Sequence, residues 1–307
     1  MTTPTPSAEV ATTARVATTS RVELAPAGGA EAHPRAGGPL RGIDFAPRAT
    51  VPTGGASGGA VSDALALIGR CLRRGVRQLD TLLLAVLLPV MLMLMFVYVF
   101  GGAMDTGMEY VDFVVPGIIL LTAGYGAAST AVDVAGDLTG GLMERFRSMP
   151  IRPTAVLTGH VVASMARNAV STALVIGVAL LVGFDSAASF GGWLGALAVI
   201  ALFVAAMTWV AVAIGIVASG PEAASGFTFA ILFLPYVSSA FVPVDSMPSA
   251  LATIAAWNPI TPVADTIRNL LLGAPLGSEL WQALAWCAGI LLAARAAAAY
   301  LFRRHQA

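Results

Sequence analysis

The sequence predicts an all-α membrane protein with six transmembrane helices. An N-terminal amphipathic helix precedes them, a short cytoplasmic helix separates the second and third, and short re-entrant helices precede the last. Three observations predict this. Of the 307 residues, 57% are hydrophobic and 11% charged, against roughly 25% charged in a typical soluble protein, and the mean hydropathy is +0.81. Fifteen of the 34 charged residues lie in the first 80 positions, leaving 19 for the remaining 227, too few to solvate the surface of a globule. Finally, six segments approach the ~20 apolar residues needed to cross ~30 Å of hydrocarbon.

In chain order, residues 1–60 are rich in Thr, Ala, Pro and Gly. They hold too little apolar surface to offset chain entropy, so a disordered tail is expected. It is a solvated tail or, alternatively, a regulatory or docking segment. It is not expected to be a secretory signal, because no apolar stretch of about 7–15 residues follows the start. Over 62–81, Leu65, Ile68, Leu72, Val76 and Leu79 recur at spacings of three and four, with Arg70, Arg73, Arg74 and Arg77 at other positions. That pattern suits a helix lying in the headgroup plane, with a plain cytoplasmic helix as the alternative.

The expected spans are 82–100, 113–132, 161–182, 193–218, 223–242 and 280–302. Pro221 and Glu222 argue for a tight turn between the fourth and fifth. Six crossings put Arg70, Arg73, Arg74, Arg77, Arg145, Arg147, Arg152, Arg303 and Arg304 on one side. By the positive-inside rule that side is the cytoplasm, and both termini are cytoplasmic. The outer segment 242–273 holds two apolar pieces, 249–256 and 263–272, too short to span. They read as re-entrant or interfacial helices anchored by Trp257. Pro243, Asp245, Trp257, Asn258 and Arg268 mark this segment as an outer gate or, alternatively, a packed lid.

All 17 basic side chains are arginine; there is no lysine. A phosphate-cradling P-loop needs a lysine to reach the β- and γ-phosphates, so if ATP drives this chain another subunit binds it. Cys71 and Cys287 make neither a metal spacing nor a disulfide framework. The balanced net charge argues against nucleic acid as a partner. No nucleophile elbow or H-E-x-x-H is present, and no catalytic, cofactor or metal residue is expected.

Polar stripes inside the spans are more informative. Thr122, Tyr125, Ser129 and Asp133 follow spacings of 3, 4 and 4. His160, Ser164, Asn168 and Ser171 follow 4, 4 and 3, with Arg167 beside them, and Thr228, Tyr236 and Ser239 fall near one face of the fifth span. Polar groups in hydrocarbon face other helices or a cavity, so these either pack helices together or line a path. Arg167 is expected toward the cytoplasmic end, paired with Asp133 or Asp137. Met91, Met93 and Met95 are either apolar filling or an adaptable surface for varied ligands. Between Gly141 and Pro150, Leu142, Met143, Phe146 and Met149 form an apolar ridge, flanked by Glu144, Arg145 and Arg147. Such a ridge either plugs into a groove on a soluble partner or lies at the membrane interface.

Several stretches carry a family resemblance. They are Leu88-Pro89-Val90 through Phe96-Val97-Tyr98-Val99-Phe100-Gly101, Phe113-Val114-Val115-Pro116-Gly117, Gly141-Leu142-Met143-Glu144-Arg145-Phe146-Arg147-Ser148-Met149-Pro150-Ile151, Ser239-Ala240-Phe241-Val242-Pro243-Val244-Asp245-Ser246-Met247-Pro248, and Trp257-Asn258-Pro259-Ile260-Thr261-Pro262. From about residue 62 to the C-terminus the chain resembles the daunorubicin-resistance branch of the type-2 ATP-binding-cassette (ABC) exporter permeases. The resemblance implies that 62–81 is the family's elbow helix and that 142–149 is its coupling helix. It implies a separate ABC ATPase subunit, a second permease copy in a homodimer or heterodimer, and a lipophilic cargo drawn from the lipid. Efflux of hydrophobic drugs or antibiotics is the implied function. Export of lipid or glycan by the same mechanism, or a non-transporting membrane scaffold, are the alternatives. Pro153 departs from the pattern, since several family members carry Ser or Ala there.

Overall fold

The computed structural model describes residues 79–104, 106–140 and 153–306. The expected tail and nearly all of the expected surface helix lie outside the described residues. So do Leu142, Met143, Glu144, Arg145, Phe146, Arg147 and Met149 of the expected coupling segment.

Among the described residues the chain is helical, with no β-strand. Helix α1, Leu79–Met95, contains Pro89 and runs on through a π-helical turn, Phe96–Phe100, and a 3-10 turn, Gly101–Ala103. Helix α2, Tyr110–Thr139, and helix α3, Pro153–Val182, each have 30 residues, about 45 Å at 1.5 Å per residue. Both outrun the hydrocarbon and exceed the expected spans. Pro153 opens α3, where the missing N–H has no intrahelical partner to lose. Helix α4, Phe190–Val217, starts at a Ser189 N-cap whose hydroxyl accepts from the Gly192 N–H at 3.2 Å. Helices α5, Pro221–Leu232, α6, Ser249–Trp257, and α7, Ile260–Leu272, are short. Gly273, in the left-handed region at φ 68°, ends α7. Helix α8, Glu279–Gln306, closes the chain.

Among the described residues, five helical segments are long and apolar enough to cross a bilayer: 86–103, α2, 157–182 of α3, α4 and 278–304. The segment expected as a fifth uninterrupted span, 223–242, differs. Helix α5 stops after 12 residues, about 18 Å, and the chain continues as a 3-10 turn, Leu234–Val237, and then irregularly. Pro235 is the physical reason. It has no N–H to give the carbonyl four residues back, and its ring clashes there. The two short helices expected before the last span are present as α6 and α7.

Helix α2 is the centre of the bundle. Val114, Val115 and Ile118 to Leu121 are fully buried, and α1, α3, α4, α5 and α7 all pack on it. A second cluster joins Val134 of α2, Leu157 and Val161 of α3, Val212 and Ile216 of α4, and Ala298 and Phe302 of α8. The ends of these four helices therefore lie together, beside Arg303 and Arg304; this is the basic end. At the far end the Asp185 N–H donates to Asp112 Oδ1 at 3.1 Å, and the Ser186 hydroxyl donates to the Leu271 carbonyl at 2.7 Å. Large apolar side chains such as Leu181, Phe190, Leu194 and Leu292 point outward, the inverse of a soluble surface and the expected one for lipid. Of the three methionines of α1, Met93 is in the core while Met91 and Met95 face out.

Candidate functional site

The break after α5 bares backbone groups that hydrocarbon cannot solvate, each costing several kcal/mol if left unpaired. Side chains take them up. The Asn258 amide donates to the Leu234 and Val237 carbonyls at 2.8 and 2.6 Å, and its own oxygen accepts the Ile260 N–H at 3.0 Å. The Ser238 hydroxyl donates to the Pro235 carbonyl at 2.7 Å and accepts from the Ala240 N–H. The Ser239 N–H donates to Thr261 Oγ1 at 3.2 Å. The Phe241 carbonyl accepts from the Tyr110 hydroxyl at 2.9 Å.

Arg268 completes this far-end knot and is only 6% exposed. Its Nε donates to the Phe113 carbonyl at 3.1 Å and its Nη2 to the Ser239 carbonyl at 2.8 Å. Its Nη1 pairs with Asp265, one turn back on α7, and Asp265 also accepts the Ser239 hydroxyl at 2.7 Å. The guanidinium lies 4.0 Å from the centre of the Phe113 ring, a cation–π contact strengthened by exclusion of water. Burial pushes the Arg268 pKa down, and the neighbouring Asp265 carboxylate opposes the shift. Gly117 permits the close approach: a Cβ there would sit 2.5 Å from the Ala240 carbonyl oxygen.

Of the five expected outer residues, Asn258 and Arg268 therefore converge on the broken segment. Pro243 and Asp245 flank and enter the 3-10 turn Val244–Ser246, with Asp245 exposed, and Trp257 is exposed at the end of α6. Sequence reading missed Tyr110, Thr261 and Asp265. Asp265 had a signal, lying three residues before the one cation of that segment.

A second polar knot joins α2, α3 and α4 toward the basic end. Thr130 Oγ1 donates to Ser164 Oγ at 2.8 Å, and Ser164 Oγ lies 3.3 Å from Thr208 Oγ1. Asn168 Nδ2 donates to the Ser164 carbonyl at 3.1 Å. Arg167 donates from Nη2 to Thr130 Oγ1 at 3.1 Å, and its Nη1 is 3.5 Å from Asp133 Oδ2. Between the two expected acids the structure pairs Arg167 with Asp133. Asp137 pairs instead with His160, whose Nε2 is 3.1 Å away. Arg167 Nε, Asn168 Oδ1 and Thr172 Oγ1 are buried without a partner among the described residues.

The expected stripe on α2 divides. Thr122 and Ser129 donate back to their own helix, at the Ile118 and Gly126 carbonyls, and so need no partner across the bundle. Tyr125 is half-buried against the core. Asp133 of the stripe reaches Arg167 on α3, and Thr130, one position past Ser129, reaches Ser164 and Arg167 there; Thr130 and Thr208 were missed.

The third feature is a ladder of six aromatic rings. Phe229 and Phe233 centroids are 5.2 Å apart, Phe233 and Tyr236 6.2 Å, Tyr236 and Phe241 5.2 Å, Phe241 and Phe96 5.0 Å, and Phe96 and Phe100 5.6 Å. It joins α5 to the π-helical turn after α1. Phe229, Phe233, Tyr236 and Phe100 keep exposed surface.

Polar groups tied off between helices, non-helical backbone capped by side chains and apolar faces turned outward together define a multi-pass membrane protein. Residues 104–300 match the family described as ABC-2 family transporter protein. The chain is 34% identical over 190 residues to the daunorubicin resistance ABC transporter permease protein of Streptomyces coeruleorubidus, covering 61% of this chain and 67% of that one. It is 27% identical over 255 residues to the probable doxorubicin resistance ABC transporter permease protein of Mycobacterium tuberculosis, covering 80% of this chain and 89% of that one. The chain belongs to the ABC-2 family of transporters, and it is a multi-pass permease of the cell membrane.

Proposed function

We propose that this permease is the membrane subunit of an ATP-driven exporter that expels lipophilic aromatic compounds, drugs and antibiotics among them. The observation that carries the cargo class is the aromatic ladder from Phe229 to Phe100. Partly exposed rings bind a planar apolar ligand by stacking, at about 0.5–1.5 kcal/mol per ring pair beyond area burial. The resistance named in both relatives agrees with such a cargo. ATP is bound and hydrolysed by a separate ABC ATPase subunit, and a second permease copy completes the transporter. The basic end is cytoplasmic by the positive-inside rule. There the segment 142–149 seats in the ATPase and transmits its closure to the spans. Closure moves cargo only if cargo binds the two states with different affinity.

The test is ATPase activity of the reconstituted complex, with its cognate ATPase, across amphiphilic compounds. Planar aromatic amphiphiles are expected to stimulate hydrolysis. Phe229→Ala with Phe233→Ala, both on exposed rings, is expected to raise the half-stimulating concentration about 3–10-fold, the equivalent of one lost stacking pair. Equal stimulation by aliphatic amphiphiles, or no response to the double variant, would overturn the cargo class.

A further inference from the structure

A groove of about 510 Å³ runs between α4, α5 and α8, walled by Val210, Ile214, Phe227, Ile290, Ala297 and Leu301 among others. Every residue lining it is apolar. The volume falls in the ~300–1,000 Å³ range of ligand sites. It lies in the half of the bundle nearer the basic end, along the last turns of α4 and of α8, both helices that cross the membrane. Small side chains make it: Ala293, Ala294 and Ala297 leave α8 without the bulk to fill the space beside α4.

On α8, Ile290, Ala294, Ala297 and Leu301 follow spacings of 4, 3 and 4, and the next position on that face, three residues on, is Arg304. Arg304 is exposed, as is Arg303 beside it, and the Arg304 guanidinium sits 5.0 Å from the Tyr300 ring. The acid nearest this rim in sequence, Glu222, is five residues before Phe227, about 140° round α5 from the groove wall. A fully apolar slot therefore continues at its membrane-surface end into positive charge.

We infer that the groove is a binding site for one anionic phospholipid of the leaflet at the basic end, an acyl chain lying along Ile290 to Leu301 and the phosphate meeting Arg304. Hydrocarbon satisfies the apolar lining, and a guanidinium is the preferred partner of a phosphate. A second copy of the chain is the poorer occupant. A two-fold axis along the membrane normal sets Arg304 at the same depth as its own counterpart, so a seam packed on this groove would bring like charges together at its rim.

The test uses the permease in complex with its ATPase, in phosphatidylcholine nanodiscs doped with photoreactive phosphatidylglycerol or photoreactive phosphatidylcholine. The expected result is labelling of the α8 peptide 290–301 about fivefold stronger with the anionic probe, as one arginine near the surface gives. Arg304→Glu is expected to abolish that preference, and Ala297→Phe to lower labelling by both probes. Ala296→Phe, at an exposed position off the groove face, is expected to change neither and so controls for folding. Equal labelling by the two probes, labelling unaffected by Ala297→Phe, or a disulfide between copies through Ala297→Cys would each overturn the proposal.

Discussion

The side-chain amide of Asn258 holds the Leu234 and Val237 carbonyls together at 2.8 and 2.6 Å. It thereby ties down the 3-10 turn that follows α5, more than 20 residues upstream. Replacing it by Asp removes both donors and adds a charge; replacing it by Leu removes both donors and also the oxygen that accepts the Ile260 N–H. Each carbonyl left unpaired costs about 1–3 kcal/mol. Asn258→Leu is expected to lower the melting temperature of the purified permease by several degrees, and Asn258→Asp by more. An unchanged melting curve for both would show that the break is held elsewhere.

Gly126 and Asn168 form a packed pair in which a methyl group on the glycine would collide with the amide. Gly126→Ala is expected to cost about 1–3 kcal/mol through overpacking. Asn168→Ala removes the obstacle, so the double variant is expected to be less destabilised than the sum of the singles. A double-mutant cycle in thermal unfolding measures this; strict additivity would mean that the two do not meet.

Arg167 is 10% exposed and Asp133 25%, so the pair sits mostly out of water. Removing one partner leaves the other charge uncompensated, which costs more than removing both. Arg167→Leu is expected to reduce yield and stability more than Arg167→Leu with Asp133→Asn. Equal stability and activity of Arg167→Leu and the wild type would remove any role for the pair.

Phe146 stands on the apolar ridge between α2 and α3 in sequence. Phe146→Asp is expected to abolish co-purification of the ATPase while leaving the permease itself soluble in detergent and monodisperse. A stable variant that still recruits and stimulates its ATPase contradicts the coupling assignment.

The long helices were legible because each spans a long apolar run bounded by Gly, Pro or charge, and hydrocarbon leaves the backbone few other choices. Helix α5 was not. Its apolar run continues through Pro235, and a proline is tolerated in a membrane helix when neighbours satisfy what it frees. Here those neighbours are Asn258, Thr261 and Arg268, which no local window contains. In the second knot, helical spacing found Asp133, Ser164, Arg167 and Asn168 but chose Ser129 in place of Thr130. One position is about 100° of rotation, and a hydroxyl satisfied by its own helix looks identical in sequence to one that reaches across.

The capped segment 234–241 has a mechanical consequence. Bending an unbroken rod at that depth would rupture main-chain bonds in an apolar medium. Swinging the outer part of this one instead requires only that Asn258, Ser238, Tyr110 and Arg268 let go and take new acceptors, and that the Ser239 N–H leave Thr261 for another. Pivoting is thereby confined to one joint, and its stiffness is set by a handful of replaceable side chains.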